Sequence, residues 1–449
     1  MRKILLLLIA IAMTACSGDN NASAQPSDLE TRVVADDLGI PWDMRIGPDG
    51  WIWFTERNGK FKRVNIETGE VALIKDIESV FQLNESGLLG FDFHPDFPNT
   101  PYIYMVYTYG SIVDMSERLV RFTYSNGTLT DETTLVDDID AGHIHDGSRV
   151  MFDPDEMKIY MTTGEADEMP YSQDLESLNG KTLRINPDGS VPADNPFGNY
   201  VWTLGHRNAQ GMVRANGILY QSEHGPDTDD EINIIEKGRN YGWPNVNGYC
   251  DKQNEQKFCE DSNVVEPIAA WTPTIATCGL DYYGHDAIPQ WKNSLLLATL
   301  KGSTLYQLQL SEDGRDIVEE KKFFAGTFGR LRDVMVHPDG RVFISTSNYA
   351  GGNSIIEIKA KETSVDDGED QGSLLRISPN PACGGANVEF SAIGAAELYI
   401  YNALGEVISQ KGMPASGRES RYFELPRGSY FAVLVGRRGF ISEPFIVLN

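Results

Sequence analysis

The sequence predicts an all-β protein, a six-bladed β-propeller followed by a small C-terminal β-sandwich. Three observations lead there. One unit recurs: a turn containing Pro-Asp, often with Gly, followed by a run of β-branched and aromatic residues, as in Gly47-Pro48-Asp49-Gly50 before Trp51-Ile52-Trp53-Phe54. The composition, with 43 Gly, 19 Tyr, 19 Phe and 7 Trp in 449 residues, favours turns and strands, and strong amphipathic helices are scarce. The charge is unevenly spread. The chain carries −27 overall, whereas Leu374 to Asn449 holds seven basic and six acidic side chains.

Residues 1–16 read as an export signal, with Arg2 and Lys3 ahead of the apolar run Ile4 to Met13. That run is too short for a stable transmembrane helix. Small residues directly before Cys16 resemble a bacterial lipobox, which would make Cys16 a lipid-bearing N-terminus and the only link to a membrane. Residues 17–30 then form a polar tether. The propeller is assigned to 31–359. Its six apolar strands begin near Trp51, Tyr102, Lys158, Gly217, Asn293 and Arg341, a spacing that suits four-stranded blades with insertions. In the turns, Pro presets the first corner while Asp and Gly tolerate the second, so His94 and His337 are structural. Residues 360–373, acidic and without aromatics, form a linker. From 374 to 449, Glu397 to Asn402 and Tyr430 to Val435 alternate apolar with polar residues, as strands of a sandwich do.

The acidity excludes nucleic acid and anionic membrane surfaces as partners and is compatible with calcium. No cysteine pair has CxxC spacing, which leaves zinc and thioredoxin-like chemistry unsupported. In an oxidising compartment Cys250 and Cys259 can close a loop over the polar segment between them; Cys278 and Cys383 have no assignment.

Four segments, all near strand ends, carry the candidate chemistry. In Ser222 to Asn233, Gly225-Pro226 makes a rigid turn whose carbonyls are free to meet a hard cation, and Asp229, Asp230 and Glu231 add carboxylates. Leu204 to Gly211 clusters Arg207, Asn208 and Gln210 in a turn suited to a planar anion. Ala141 to Arg149 supplies His143 and His145, which share a face if the loop is extended. Phe328 to Asp333 places Arg330 and Arg332 where two carboxylates could be held.

Taken in order, Gly87-Leu88-Leu89-Gly90-Phe91, His145 to Arg149, Leu204 to Gly211, Glu223 to Asn233, Asn240-Tyr241-Gly242-Trp243-Pro244-Asn245 and Arg330 to Asp333 resemble the soluble glucose dehydrogenase and aldose sugar dehydrogenase family. That family uses pyrroloquinoline quinone (PQQ). The resemblance spans residues 33 to about 358 and implies oxidation of an aldose to a lactone by hydride transfer from the anomeric carbon. It implies His145 as general base supported by Glu165, and Arg207 stabilising charge on the quinone. Arg207, Asn208, Thr274, Lys301, Arg330 and Arg332 would contact the cofactor. The Gly225 and Pro226 carbonyls would hold its calcium, and Glu231 with the Tyr241 carbonyl a second one. Glu85 and Gln210 fall on the substrate side, the role of Gln210 being open.

Three departures matter. Glu85-Ser86 replaces a Gln-Asn pair of glucose-specific members, which argues against strict glucose preference; Glu165 stands where Asp is usual; and in Trp271-Thr272-Pro273-Thr274 the residue stacking on the quinone is missing or shifted. The short loop from Glu165 to Asn179 suggests an open site and broad substrates. A calcium-dependent propeller lactonase and a non-catalytic glycan-binding propeller are the alternative readings. Neither the sugar nor the electron acceptor can be read from the chain.

The last 75 or so residues, through Ser378-Pro379-Asn380-Pro381, Tyr401-Asn402-Ala403-Leu404-Gly405 and Leu425-Pro426 with Gly428 and Tyr430, resemble the sorting domain recognised by the type IX secretion machinery of Bacteroidetes. The expected location is exported: periplasmic, at the cell surface, or secreted.

Overall fold

The computed structural model describes residues 28–348, 352–361, 374–378, 380–393, 396–413, 416–436 and 439–448. The export signal with Cys16, most of the 17–30 tether, nearly all of the 360–373 linker and Pro379 lie outside the described residues. Two compact units are present, Met1–Lys361 and Glu362–Asn449. Among the described residues no helix is long and apolar enough to cross a membrane.

The first unit is essentially all-β. It contains six four-stranded antiparallel sheets among its described residues. Their innermost strands are β1 (Pro41–Ile46), β2 (Leu88–Phe93), β3 (Gly147–Asp153), β4 (Ala209–Ala215), β5 (Thr277–Tyr283) and β6 (Leu331–Val336). Each sequence recurrence noted above is the second strand of one sheet: Ile52–Glu56, Tyr102–Ser111, Lys158–Thr163, Ile218–Glu223, Ser294–Thr299 and Val342–Thr346. The sheet of β6 is completed by the first strand among the described residues, Leu29–Leu38, which pairs antiparallel with Asn353–Ala360.

Apolar side chains fill the spaces between successive sheets. Trp53, Phe61, Phe91 and Met105 form one such cluster, and Leu296, Leu331, Val342 and Ile358 another. Toward the centre, polar groups take over, and carboxylates on the innermost strands stitch one sheet to the next. Phe91 N–H donates to Asp43 at 3.0 Å, Phe152 N–H to Asp92 at 2.8 Å, Val336 N–H to Asp281 at 2.7 Å and Met44 N–H to Asp333 at 2.9 Å. Arg149, 2% exposed, sits among them with Asp43 at 2.6 Å, Asp333 at 3.1 Å and the Trp42 ring at 4.4 Å. A charge so desolvated persists only because carboxylates and the Gln210 carbonyl, 2.8 Å from Nε, surround it.

Cys250 and Cys259 are joined in a disulfide that ties the helix Gln253–Asp261 to the preceding loop; Cys278 is a free, buried thiol. His94 and His337 lie in turns and accept the Asp96 and Asp339 N–H groups at 3.1 and 3.2 Å, a structural role.

In the second unit, Leu374–Ser378, Gly385–Ile393 and Ser416–Glu424 form a three-stranded sheet, and five strands from Ala382 to Leu448 form another. Val388, Phe390, Leu398, Ile400, Leu434 and Val447 are buried in one cluster drawn from both.

Candidate active site

The segments singled out in the sequence gather where the innermost strands begin. His145 precedes β3, Arg207 and Asn208 precede β4, Thr274 precedes β5, and Arg330 precedes β6. His145 Nδ1 lies 2.6 Å from Glu165 Oε1, and His145 Nε2 lies 3.0 Å from Arg207 Nη2. A guanidinium only donates and a carboxylate only accepts, so the proton of the neutral ring is on Nδ1 and the Nε2 lone pair accepts from Arg207. Backbone strain is present here. His145 (φ 63°), Ser148 (φ 69°), Ala166 (φ 54°) and Asp167 (φ 64°) are left-handed without being glycine, a cost that functional sites characteristically carry. The left-handed turn at His145 breaks the extended geometry that would have let His143 share its face, and His143 is exposed.

Glu223 fixes Arg207 from behind. One carboxylate oxygen accepts the Arg207 backbone N–H, and the other is 2.8 Å from Nδ1 of the buried His206, which stacks on Tyr241. Arg207 Nη1 also donates to the His224 carbonyl at 3.2 Å, and its guanidinium lies 5.3 Å from the Trp243 ring. Glu231 stands opposite Glu223 in the ladder and accepts from Asn233 and the Gly248 N–H. Burial, and then the charge of Glu223, push Glu231 up to about 8. Between these residues, Asp229, Gly225 and Tyr241 lies a cavity of about 10 Å³, room for one water or ion.

Asp230 does not offer the free carboxylate expected of it. Its oxygens accept the N–H groups of Gly225 (2.8 Å), Ile275 (2.7 Å) and Ala276 (2.5 Å), so it clamps two loops together instead. Among the described residues no hydrogen bond ends on the carbonyl of Gly225 or Pro226. A Cβ on Gly225 would come within 2.0 Å of the Thr228 carbonyl, which is why the turn needs glycine.

A model of the glucose/sorbosone dehydrogenase family matches residues 38–358. The chain belongs to that family. It is therefore an oxidoreductase. Glucose/sorbosone dehydrogenase relatives include quinoprotein glucose dehydrogenase B of Acinetobacter calcoaceticus, 31% identical over 83% of this chain and 96% of that one. Aldose sugar dehydrogenase YliI of Escherichia coli is 30% identical over 73% of this chain and 92% of its own. Among solved structures, the PQQ-bound form of an aldose sugar dehydrogenase from Streptomyces coelicolor superposes with a TM-score of 0.65 at 31% identity, covering 75% of this chain and all of that one.

The remaining positions are distributed as follows. Lys301 is exposed and donates to Thr274 Oγ1 at 3.0 Å, so this pair is brought together. Arg330 reaches the Ser347 carbonyl, while Arg332 turns inward, where it donates to Gln210 Oε1 at 2.7 Å and lies 3.1 Å from Cys278 Sγ. Gln210, 3% exposed, thus props Arg332 and does not face open solvent. Glu85 Oε2 is 3.4 Å from the His145 N–H. Burial works against its ionisation, yet His224, Arg332 and that N–H hold its carboxyl below the usual range. Trp271 points away from the site: its indole donates to Glu320 at 2.8 Å and packs on Tyr306, while Thr272 bonds Asp229.

Lys181, His206 and Trp243 were not singled out by the sequence. Lys181 is buried and its Nζ donates to the carbonyls of Tyr171, Ser172 and Asn179, which pins the loop after Glu165; burial lowers it to about 7. Asn240-Tyr241-Gly242-Trp243 was the available signal for Trp243. Nothing local marks Lys181.

Proposed function

We propose that the chain oxidises aldose sugars to lactones with PQQ and calcium, over a broad range of sugars. The observation that carries this reading is the fixed His145 tautomer beside a set of buried, unsatisfied N–H donors, two of them on arginines. Arg207 Nε, Arg332 Nε and Asn208 Nδ2 are buried without a hydrogen-bond partner, a state that costs free energy unless a polar ligand answers it. With Thr274, Lys301 and Arg330 they suit a planar polycarboxylate, and the free carbonyls of Gly225 and Pro226 suit its calcium. The residues fit the cofactor. When bound, the quinone supplies a two-electron acceptor for the hydride leaving the anomeric carbon. His145 Nε2 takes the anomeric hydroxyl proton as general base. Glu165 keeps the opposite nitrogen protonated and stabilises the imidazolium that results. Arg207 places positive charge where negative charge grows. Glu85 faces the sugar, and Glu231 with the Tyr241 carbonyl forms a second, structural calcium site; Gln210 is a support for Arg332.

The test is reconstitution of purified apoprotein with PQQ and calcium across a panel of aldoses, followed by dye reduction. No sugar-dependent turnover with any of them would sink the proposal.

The six sheets are read as blades of one closed propeller over residues 31–359, closure resting on Leu29–Leu38. Residues 374–449 are read as a sandwich that serves type IX sorting, supported by the motifs alone. Export is supported by the apolar run of residues 4–13 and by the Cys250–Cys259 disulfide, which persists in oxidising compartments. A lipid on Cys16 is the proposed anchor.

A further inference from the structure

At the other ends of the innermost strands lies a second cavity, of about 490 Å³. Glu85, His145, Arg207 and Arg330 precede their strands, whereas this cavity is lined by later residues of the same strands. The Arg149–Asp43–Asp333 cluster lies on strand positions between the two. The volume is within the range of small-molecule sites. Nothing in the proposed sugar oxidation uses it.

The lining states what chemistry would fit. Its two cations are already committed: Arg45 to Asp43 at 2.8 Å and Asp92 at 3.7 Å, Arg214 to Asp153 at 2.5 Å and Glu156 at 3.3 Å. Asp281 has no cation within ion-pair distance among the described residues, although it faces the cavity and is only partly shielded. Burial pushes its carboxyl up to about 6, and the Val336 and Tyr282 N–H groups with the more distant Arg45 and Arg149 only partly offset it. Met151, Met212 and Met335 are among the other residues that line the cavity and give it a soft, apolar share of wall. Polarisable thioethers beside a carboxylate suit an ammonium that carries an apolar body. A bare metal ion does not suit this place. Both oxygens of Asp281 and both of Asp92 already accept backbone N–H groups. The one group of three or more metal-ligating side chains among the described residues is elsewhere, at His145, Glu165 and Asp167.

We infer that this cavity binds a small organic cation, an ammonium with an apolar body, whose charge meets Asp281 and whose body lies on the methionines. The site is separate from the sugar site and does not depend on the proposed reaction.

The experiment is a titration of full-length protein carrying ¹³C-methyl methionine with benzyltrimethylammonium, benzylamine and benzyl alcohol. The Met151, Met212 and Met335 methyl signals are assigned by single Met→Leu replacements. Saturable shifts of these three are expected with both cations, with the neutral alcohol binding about tenfold more weakly. Asp281→Asn weakens the cations by about tenfold and leaves the alcohol alone. Because Asp281 also stitches two sheets, Met151→Trp, which fills the cavity, is the second variant and abolishes the shifts while the melting transition stays cooperative. Absence of saturable shifts, equal binding of the alcohol, or undiminished binding in both variants would overturn the inference.

Discussion

Arg207 Nη2 stands 3.0 Å from His145 Nε2, on the ring nitrogen opposite the one held by Glu165. The base is thus clasped between a donor and an acceptor. Neither neighbour can exchange roles, so the ring is held in the tautomer that leaves a lone pair on Nε2. Any ligand that takes the Arg207 contact leaves that lone pair ready for a hydroxyl proton.

Replacing Glu165 by Gln tests this directly. An amide can present a donor to Nδ1, which forces the ring proton toward Nε2 and sets two donors against each other. The expected outcome is a fall in kcat of about 10²–10⁴-fold with KM and melting temperature little changed. Glu165→Asp keeps an acceptor and should retain most of the rate. Steady-state kinetics of both variants decide the matter, and equal losses in the two would show that only packing had been disturbed.

Glu85 sits beside the same histidine, and its carboxyl is held ionised by His224, Arg332 and the His145 N–H. Glu85→Gln removes that charge without changing shape. The ratio of kcat/KM between glucose and other aldoses should change by about tenfold, on the scale of one charge-assisted hydrogen bond. Quinone affinity should not move. Unchanged ratios across the panel would remove Glu85 from the sugar side.

Calcium removal should be felt as stability. Glu223 and Glu231 face each other across a ladder, both buried, beside an ion-sized cavity and without a cation in reach of Glu231 among the described residues. A cation bound to the folded state alone stabilises it by about 2.7 kcal/mol at a hundred times its Kd. Chelation by EGTA should therefore lower the melting temperature by several degrees, and Glu231→Gln should lose most of that response. A calorimetric scan that EGTA leaves in place would count against the site.

How much of this was legible depended on which strand carried it. The second strand of every sheet was visible because a Pro-Asp turn precedes an uninterrupted apolar run, as at Arg341 to Thr346. The innermost strands were not, since Asp43, Arg45, Asp92, Arg149 and Asp333 form a chain of ion pairs near the centre and break the apolar alternation. In the site, Gly225-Pro226, Arg207 and His145 could be read because glycine, proline and fixed charge constrain backbone and partner alike. Asp230 could not: an acidic loop looks the same whether its carboxylates await a metal or are consumed by the N–H groups of Gly225, Ile275 and Ala276. Gln210 and Lys181 were obscure for a related reason, since their partners, Arg332 and three loop carbonyls, are distant in sequence or belong to the backbone.

Asp281 gives the fold a pH dependence whose sign can be worked out. Burial raises its carboxyl to about 6, against an ordinary value near 3.9, and the Val336 and Tyr282 N–H groups with Arg45 and Arg149 only partly offset it. Between these two values the folded chain binds a proton that the unfolded chain has released. The contribution is therefore fully present below about pH 4 and is lost as pH rises through about 6. For a unit of this size the loss corresponds to a melting temperature about 2–4 °C lower at pH 7 than at pH 4.5. Asp281→Asn, which cannot titrate, should flatten that segment of the curve while other carboxylates keep theirs. The comparison is a set of scans at half-unit intervals from pH 4 to 8 on both proteins, and parallel curves throughout would show that Asp281 does not titrate in this range.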